Sequence, residues 1–435
     1  MKTTTNKLIA MLFIILLFKN NASAQFDLNG QLVQRGEFRN GYGKLIPNNI
    51  DAAGFMSQRL RLQSTYKTKN VHFFGSIQDV RTWGSTSQAN ATDGFLSLHE
   101  GWAEVTIDSF WSVKVGRQEL NYDNARFLGN LDWAMQARSH DFALLKFAKN
   151  EHKLHIGGGY NQEAETLNGG DYYKTTNQYK MAQMIWYNYK HKDLELSFLL
   201  WNNGKQDTTT GQKDVRFSQT FGLPTIKYSF MKNNVVSAFA YFQTGKDVYN
   251  KYLNAYDISI QSAQTVNINE AKKTSFKVTL GAEMLSGTNT NNTNKTNNSF
   301  STMYGTNHAH NGYMDYFFVG GRFENYVGLN DLFLKLRYDN NKKWFVQTDV
   351  HSFSANANVY NAAELQSSQL GTELDFSSGI VLNEDVSFQV GYSQMLASST
   401  LKYIQSATAT DNQNWTYVML IIRPKSDKKF IGILN

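Results

Sequence analysis

The segment FMSQRLRLQSTY (residues 55–66) decides the fold class, because polar and apolar side chains alternate along it. Arg59 and Arg61 alternate with Leu60 and Leu62. A two-residue period is typical of a β-strand, whose successive side chains point to opposite faces. One face of this strand is therefore apolar, and the other carries two neighbouring guanidinium groups. This pattern fits a water-soluble sandwich with arginines in solvent. It fits equally a membrane barrel with leucines toward lipid and arginines toward a hydrated interior.

The N-terminal stretch, residues 1–24, has the features of a secretory signal peptide. A lysine-bearing start is followed by an apolar run at 8–18 and by the small residues Ala-Ser-Ala at 22–24. That run is too short to cross a membrane as a helix, and cleavage after it leaves residues 25–435 as the mature chain. No later segment approaches the roughly 20 apolar residues that a membrane helix needs.

The composition favours long, uninterrupted sheet ladders. The 435-residue chain has no cysteine and only three prolines, and 14% of its residues are aromatic. An exported protein without disulfides needs a large core or continuous strand pairing, which few prolines interrupt. The formal charge of +7 falls to about +4 without the three lysines of the signal peptide. That excess is too small to indicate a nucleic-acid partner.

A regular series of β-rich runs follows along the mature chain, most of them about 10 residues long, which is enough for a tilted strand to span a bilayer. The sequence predicts 18 strands, near residues 26–39, 55–66, 71–83, 95–107, 111–120, 141–148, 152–160, 179–190, 193–202, 217–230, 234–243, 253–262, 274–286, 329–338, 343–353, 369–381, 386–396 and 414–423.

The links between these strands alternate in length. Every second link is short and polar, as in KTKN at 67–70 and HKD at 191–193, and the links between them are long. The link at 263–273 fits this parity least well. Outer-membrane barrels have short periplasmic turns and long extracellular loops, whereas a sandwich has no reason for such parity. The fold class predicted is thus all-β: a single transmembrane antiparallel up-and-down β-barrel of about 18 strands, in contact with lipid in the outer membrane of a Gram-negative bacterium. A soluble all-β secreted protein is the alternative.

Two stretches resemble a known family. They are the block containing VGRQEL and LDWAMQAR within residues 98–147, and GTNHAHNGYMDYF at 305–317. Together with RGEFRN, QRLRLQ and SIQDVRTWG, they resemble the alginate-export family of outer-membrane barrels. The resemblance implies a monomeric 18-stranded barrel whose lumen is lined with arginines and carboxylates and passes an anionic polysaccharide. One departure from common barrel endings is the segment PKSDKKFIGILN, which follows the last strand.

The resemblance also implies which residues line the lumen. The matching positions are Arg35, Arg59, Arg61, Arg81, Arg117, Arg126 and Arg138, with acidic partners Glu37, Asp79, Glu100, Glu104 and Glu119. The alternation in LGTELDF adds Glu373 and Asp375 from a later strand. A guanidinium stays charged and offers five donors that fit carboxylates in pairs. Rings of such groups in a hydrated bore select anions. The same pairs could instead only tie strands together.

The sequence therefore predicts a passive outer-membrane channel with a cationic lumen for anionic solutes, such as an acidic polysaccharide exported in the manner of alginate. One alternative is a general or substrate-specific porin for small acids or nutrients, and another is a plugged surface barrel with an adhesive or structural role. Periplasmic assembly or secretion proteins are possible partners. No cofactor is expected, and no motif of an enzyme is present, so no catalytic residue is assigned.

Two long links stand out. The segment NYDNARFLGNLDWAMQARSHD (121–141) is long for a simple surface loop, and Asp132-Trp133, Arg126 and Arg138 within it suggest a loop that folds inward and narrows the pore. A plain ordered extracellular loop is the alternative. The Asn/Thr-rich segment 286–308 is predicted to be a flexible exterior loop, because its polar start cannot build a core. His308 and His310 at its end form an HxH pair without a third ligand, so a surface pair without metal is expected there.

Overall fold

The computed structural model describes residues 25–169, 178–206, 214–231, 233–323, 326–405 and 408–432. The predicted signal peptide lies outside the described residues. Within them, none of the helices is long and apolar enough to cross a membrane.

Eighteen antiparallel strands form the wall of a barrel within the described residues. Successive strands pair along the chain, and the first strand pairs with the last from Leu32↔Ile422 to Asn40↔Asn414, which closes the sheet. The strands are β1 Gln25–Asn40, β2 Ala53–Lys67, β3 Val71–Thr82, β4 Leu96–Thr106, β5 Trp111–Gln118, β6 His140–Lys149, β7 His152–Tyr160, β8 Met181–His191, β9 Leu194–Lys205, β10 Arg216–Phe230, β11 Asn234–Lys246, β12 Tyr252–Asn269, β13 Thr274–Leu285, β14 Leu329–Asn340, β15 Trp344–Ser354, β16 Gln369–Val381, β17 Val386–Ala397 and β18 Gln413–Ile422.

The two faces of β2 answer the question raised by its alternating sequence. Leu60 and Leu62 are 44% and 45% exposed on the outside, whereas Arg59 and Arg61 are buried inside the barrel. Closure leaves the sheet without an open edge, and the apolar side chains form its outer surface. The membrane-barrel prediction is confirmed, and the soluble alternative is wrong.

Short and long links alternate around the barrel, as predicted. The alternation also holds at the link predicted at 263–273, which fitted it least well in the sequence. Strand β12 extends to Asn269, so only residues 270–273 connect it to β13. The predicted strand end near 262 is therefore wrong, because polar residues such as Asn267 continue the ladder beyond it. Both ends of the barrel chain lie on the side of the short turns, which is the periplasmic side in outer-membrane barrels.

Long loops fill much of the interior. We call residues 119–139 the first inward loop and residues 286–328 the second inward loop, because most of their large apolar side chains are buried inside the barrel. A short helix, Ser399–Gln405, and a two-residue hairpin at 360–365 belong to other loops. The barrel is thus a strand cylinder packed from within by its own loops.

Introducing a charged side chain on the outer face of β2 tests whether that face contacts lipid. Leu62→Arg is expected to lower the free energy of unfolding by about 2–4 kcal/mol, because an arginine near the bilayer midplane loses its hydration. Gln63→Arg places the same side chain one residue further along, on the hydrated interior face, and is the matched control. Urea titration in lipid vesicles measures both. Equal losses in the two variants would contradict the assignment of faces.

Candidate functional site

The first inward loop crosses the barrel interior and packs there. Phe127, Leu128, Trp133 and Met135 are all buried. Backbone hydrogen bonds close the loop on itself, from Arg138 N to the Asn130 carbonyl at 2.8 Å and from Ala134 N to the Leu131 carbonyl at 3.0 Å. The loop therefore lies inside the barrel and not on its outer surface.

Two wall arginines hold the loop through one carboxylate. Arg59 Nη2 donates to Asp132 Oδ1 at 2.8 Å, and Arg423 Nη2 donates to Asp132 Oδ2 at 3.2 Å. Burial opposes ionisation of Asp132, but the guanidiniums of Arg59, Arg423 and Arg61 outweigh it and lower the pKa of that carboxyl. Asp132 is therefore a shared anionic partner of both arginines.

The other predicted arginines of β1 and β2 are also linked to the loop, Arg35 directly and Arg61 through Gln78. Arg35 Nη1 donates to the Trp133 carbonyl at 2.8 Å, and its guanidinium lies 4.3 Å from the centre of the Trp133 ring. Arg61 donates to Gln78 Oε1 at 2.7 Å, and Gln78 Nε2 donates to the Gln136 carbonyl at 2.8 Å. These side chains bind the loop to the wall rather than standing free in an open lumen.

Arg126 lies at the centre of a second, fully buried network. Its Nε is 3.1 Å from Asp257 Oδ2 and 2.8 Å from Glu283 Oε1, and its Nη2 donates to Asn311 Oδ1 at 2.8 Å. Arg138 Nη1 donates to the Gly305 carbonyl at 2.9 Å. The network joins the first inward loop to the opposite wall and to the second inward loop.

Sequence reasoning missed the inward course of the second loop. Its aromatic residues Phe300, Tyr304, Tyr316 and Phe317 are buried in the barrel. Within the predicted exterior segment 286–308, residues 289–295 are mostly exposed, whereas 297–308 are mostly buried. The run of aromatic residues after the Asn/Thr-rich segment was the available signal, because exposed loops rarely carry so many large apolar side chains.

The predicted carboxylates of β16 hold this second loop. Met314 N–H donates to Glu373 Oε1 at 2.7 Å, and Tyr313 N–H donates to Asp375 Oδ2 at 3.4 Å. His308 Nδ1 lies 2.7 Å from Asp315 Oδ1, and the imidazole ring stacks on Trp133 with centroids 4.0 Å apart. The predicted surface position of His308 is therefore wrong.

Three further predicted residues face the interior. Glu37 accepts hydrogen bonds from Arg35, Arg39 and the Trp415 indole. Glu104 accepts from Lys146 Nζ at 2.7 Å, and Glu100 accepts from the Trp102 indole at 3.1 Å.

Two predicted lining residues, Asp79 and Arg117, occupy outward positions instead, and a third, Arg81, lies at the barrel mouth. Asp79 pairs across the ladder with Leu60, whose side chain faces outward. Arg81, two residues on, binds Asp79 and Asp93 and reaches only the rim of the barrel mouth. Arg117 pairs with Asp141 at 3.0 Å on the face of the exposed Val115. The lumen assignments of Asp79 and Arg117 are wrong, because side-chain parity along β3 and β5 places them outside, whereas the Arg81 side chain lines the mouth cavity described below.

One group of possible metal ligands occurs among the described residues. Donor atoms of His99, Glu100 and Glu119 lie within 4.8 Å of one another. His99 Nε2 is 2.9 Å from Glu119 Oε1, and its Nδ1 is 3.1 Å from Ser139 Oγ. Asn130 Nδ2 donates to Glu119 Oε2 at 2.9 Å, so these contacts also hold the first inward loop.

Two cavities remain on either side of the packed loops. The mouth cavity, about 540 Å³, lies toward the long loops; its charged lining comprises Arg35, Arg39, Arg81, Arg138, Arg322, Glu37 and Asp315. The vestibule, about 490 Å³, lies toward the short turns; its lining includes Lys227, Lys277, Lys335, Asp123, Glu195, Glu283 and Asp331. Segment 307–311 borders both, the mouth with Asn307 and His308 and the vestibule with His310 and Asn311.

The fold is that of outer-membrane porins. The structure of Pseudomonas aeruginosa OpdQ aligns with 92% of this chain and 97% of its own, with a TM-score of 0.58 at 11% identity. OccK8 (OprE) of the same organism aligns with 91% and 98%, with a TM-score of 0.59 at 12% identity. A BenF-like porin from Pseudomonas fluorescens Pf-5 aligns with 92% and 98%, with a TM-score of 0.55 at 14% identity.

Sequence comparison adds no family. No family model matches the chain, and no protein with a curated description is detectably similar to it. The resemblance to the alginate-export family is therefore not supported, whereas an outer-membrane barrel of the porin type is.

Proposed function

We propose that the protein is a passive outer-membrane channel for small anionic solutes. The observation that supports this most directly is the charge of the mouth cavity, whose lining has five arginines and only two carboxylates. Walls of low dielectric constant focus the field of such groups and raise the local concentration of anions. A cationic constriction then favours anions over cations of the same size.

The packing of the lumen supports a small solute over a polymer. Two inward loops occupy the interior, and the remaining mouth and vestibule measure about 540 and 490 Å³. Cavities of this size hold single small molecules. A polysaccharide in transit would need both loops to leave the lumen, and the buried contacts of Arg59 and Arg126 oppose that. Export of an alginate-like polymer is therefore not our preferred function.

Two mouth arginines are suited to contact an entering anion. Arg39 is partly exposed and stacks 4.1 Å from the ring centre of Tyr42, while its Nη2 lies 2.8 Å from Glu37. Arg322 is exposed, and no carboxylate among the described residues lies within salt-bridge distance of it. An exposed guanidinium of this kind binds an anion only weakly, so the anion is attracted but can leave again, as transport requires.

The double variant Arg39→Ala/Arg322→Ala is expected to lower the chloride-to-potassium permeability ratio, because two cations leave the mouth. Reversal potentials in a salt gradient across planar bilayers measure the ratio. Arg117→Ala/Lys69→Ala removes the same charge from outward and turn positions and is the matched control. An unchanged ratio in the first variant would contradict anion selection at the mouth.

The dense packing also favours a second candidate, a plugged barrel with a structural or adhesive role. Segment 307–311 separates the two cavities, and both of its flanks are buried. Steady conductance of the unmodified barrel supports the channel, and absence of any current across many insertions supports the plugged barrel.

A further inference from the structure

The chain does not end with its last strand. Strand β18 ends at Ile422, and the following residues turn at the short-turn side, where Arg423 N donates to the Asp385 carbonyl at 2.8 Å. We call residues 424–432 the C-terminal tail. Its Lys425 lies at the rim and pairs with Asp27 at 3.0 Å, whereas Ile431 is 3% exposed. The tail therefore runs from the rim into the barrel.

Hydrogen bonds bind the tail to the inner face of β17. Gln389 Nε2 donates to the Ile431 carbonyl at 3.0 Å, and Ile431 N–H donates back to Gln389 Oε1 at 3.2 Å. Ser387 Oγ donates to the Lys429 carbonyl. Ser387 and Gln389 are themselves buried on that face. A reciprocal pair of bonds to one buried amide satisfies both backbone groups of Ile431 and fixes its position.

The wall has a gap that the tail fills. Phe430 packs edge-on against Phe345 with ring centroids 4.8 Å apart. A Cβ atom at Gly379 would clash with the rings of both Phe430 and Phe345. Because Gly379 pairs with Phe345 on β15 and with Gln389 on β17, these contacts lie along one row of the inner wall. The missing side chain at Gly379 makes room for the Phe430 ring.

The tail reaches the constriction itself. A Cβ atom at Gly432 would clash with the ring of Trp133, so the end of the described tail touches the first inward loop. Arg423 Nη2 binds Asp132 of the same loop, and its Nη1 donates to the Lys428 carbonyl at 3.4 Å. The tail thus lies against Trp133 directly, and it is linked to the neighbouring Asp132 through Arg423, the residue that precedes it.

We propose that the C-terminal tail is a third constriction element, which enters from the periplasmic side and narrows the channel beside the first inward loop. This inference rests on the proposed channel function and goes beyond it. The two inward loops come from the extracellular side, so the tail is an element that periplasmic conditions can act on separately. Docking of the tail on the inner wall buries Ile431 and partly buries Phe430.

Deletion of residues 426–435 is expected to raise single-channel conductance on the order of twofold, because the cross-section beside Trp133 widens. Phe430→Ala/Ile431→Ala keeps the chain length, and a rise in conductance or frequent opening steps are expected for it as well. Asp427→Ala/Lys428→Ala changes two exposed tail residues and is the matched control, with conductance close to that of the unmodified protein.

Cysteine labelling measures directly whether the tail covers the inner face of β17, since the chain has no cysteine of its own. A Ser387→Cys variant keeps the Gln389–Ile431 hydrogen bonds, and it is expected to react slowly with a thiol reagent that does not cross membranes and much faster when residues 426–435 are also deleted. Equal labelling rates, or a deletion variant whose conductance equals that of a conducting full-length protein, would overturn the tail proposal and leave the channel function intact. Absence of current in both proteins would instead overturn the channel function, and this inference with it.

Discussion

Arg126→Ala is expected to release both inward loops and to cost about 3–5 kcal/mol of their docking free energy, because it leaves buried carboxylates without their cation. Asp257 and Glu283 both depend on this guanidinium, and all three side chains are at most 4% exposed. Carboxyl groups left in a low-dielectric interior lose their counter-ion and lack hydration, and they repel each other when both are ionised. Opening of the loops relieves both penalties.

The readouts are proteinase K cleavage of the loops and conductance in planar bilayers. Faster cleavage between residues 119 and 139 and a larger, noisier current are expected. Arg117→Ala is the matched control, since the exposed Arg117–Asp141 pair contributes only about 0–1 kcal/mol. Adding Asp257→Asn and Glu283→Gln to Arg126→Ala is expected to restore part of the protection. Unaltered cleavage and current in Arg126→Ala would show that packing alone holds the loops.

Trp133→Ala is expected to cost about 3–5 kcal/mol at the constriction and to raise conductance, because a large buried aromatic side chain is lost from the contact between four elements. Its ring stacks on His308 of the second inward loop at 4.0 Å. It also packs at right angles to Trp415 and Tyr417 of the wall, at 5.7 and 5.2 Å. Arg35 lies over the ring, and the tail touches its edge.

The matched control is Trp83→Ala, since Trp83 is 53% exposed at the end of β3. Trp133→Phe retains an aromatic ring and is expected to give an intermediate conductance. Thermal unfolding in detergent, followed by the loss of heat-resistant mobility on gels, separates a local opening of the loop from failure of the barrel. A conductance in Trp133→Ala equal to that of the unmodified protein would remove Trp133 from the constriction.

The alternation of side chains along β3 and β5 already indicates that Asp79 and Arg117 face outward. Arg117 continues the series of Val113 and Val115, whose partly exposed side chains mark the lipid face, and Asp79 continues the series of Phe73 and Ile77. Reading each strand by parity would have placed Arg117 and Asp79 outside. Charge alone suggested the lumen, but charged side chains near the end of a tilted strand can also lie at the membrane surface.

For the interior arginines, side-chain parity predicts the correct face but not the contacts that the side chains make. Parity placed Arg35, Arg59 and Arg61 inside, and they are inside. It could not tell that loop atoms would take up donors of Arg35 and Arg59, because the carbonyls of Trp133 and Asp132 lie 98 and 73 residues away in the chain. An arginine that lines an open lumen and an arginine that holds a buried loop therefore have the same pattern in the sequence.

The sequence by itself determined the strands, their alternating faces and the two kinds of link, and hence a closed membrane barrel. These follow from local physics: the two-residue period of a strand, the width of a bilayer and the need to pair every backbone group. Only the tertiary structure decided what fills the barrel. The second inward loop and the C-terminal tail have no period to read, and their burial depends on contacts such as Glu373 with Met314 and Gln389 with Ile431, between residues distant in the chain.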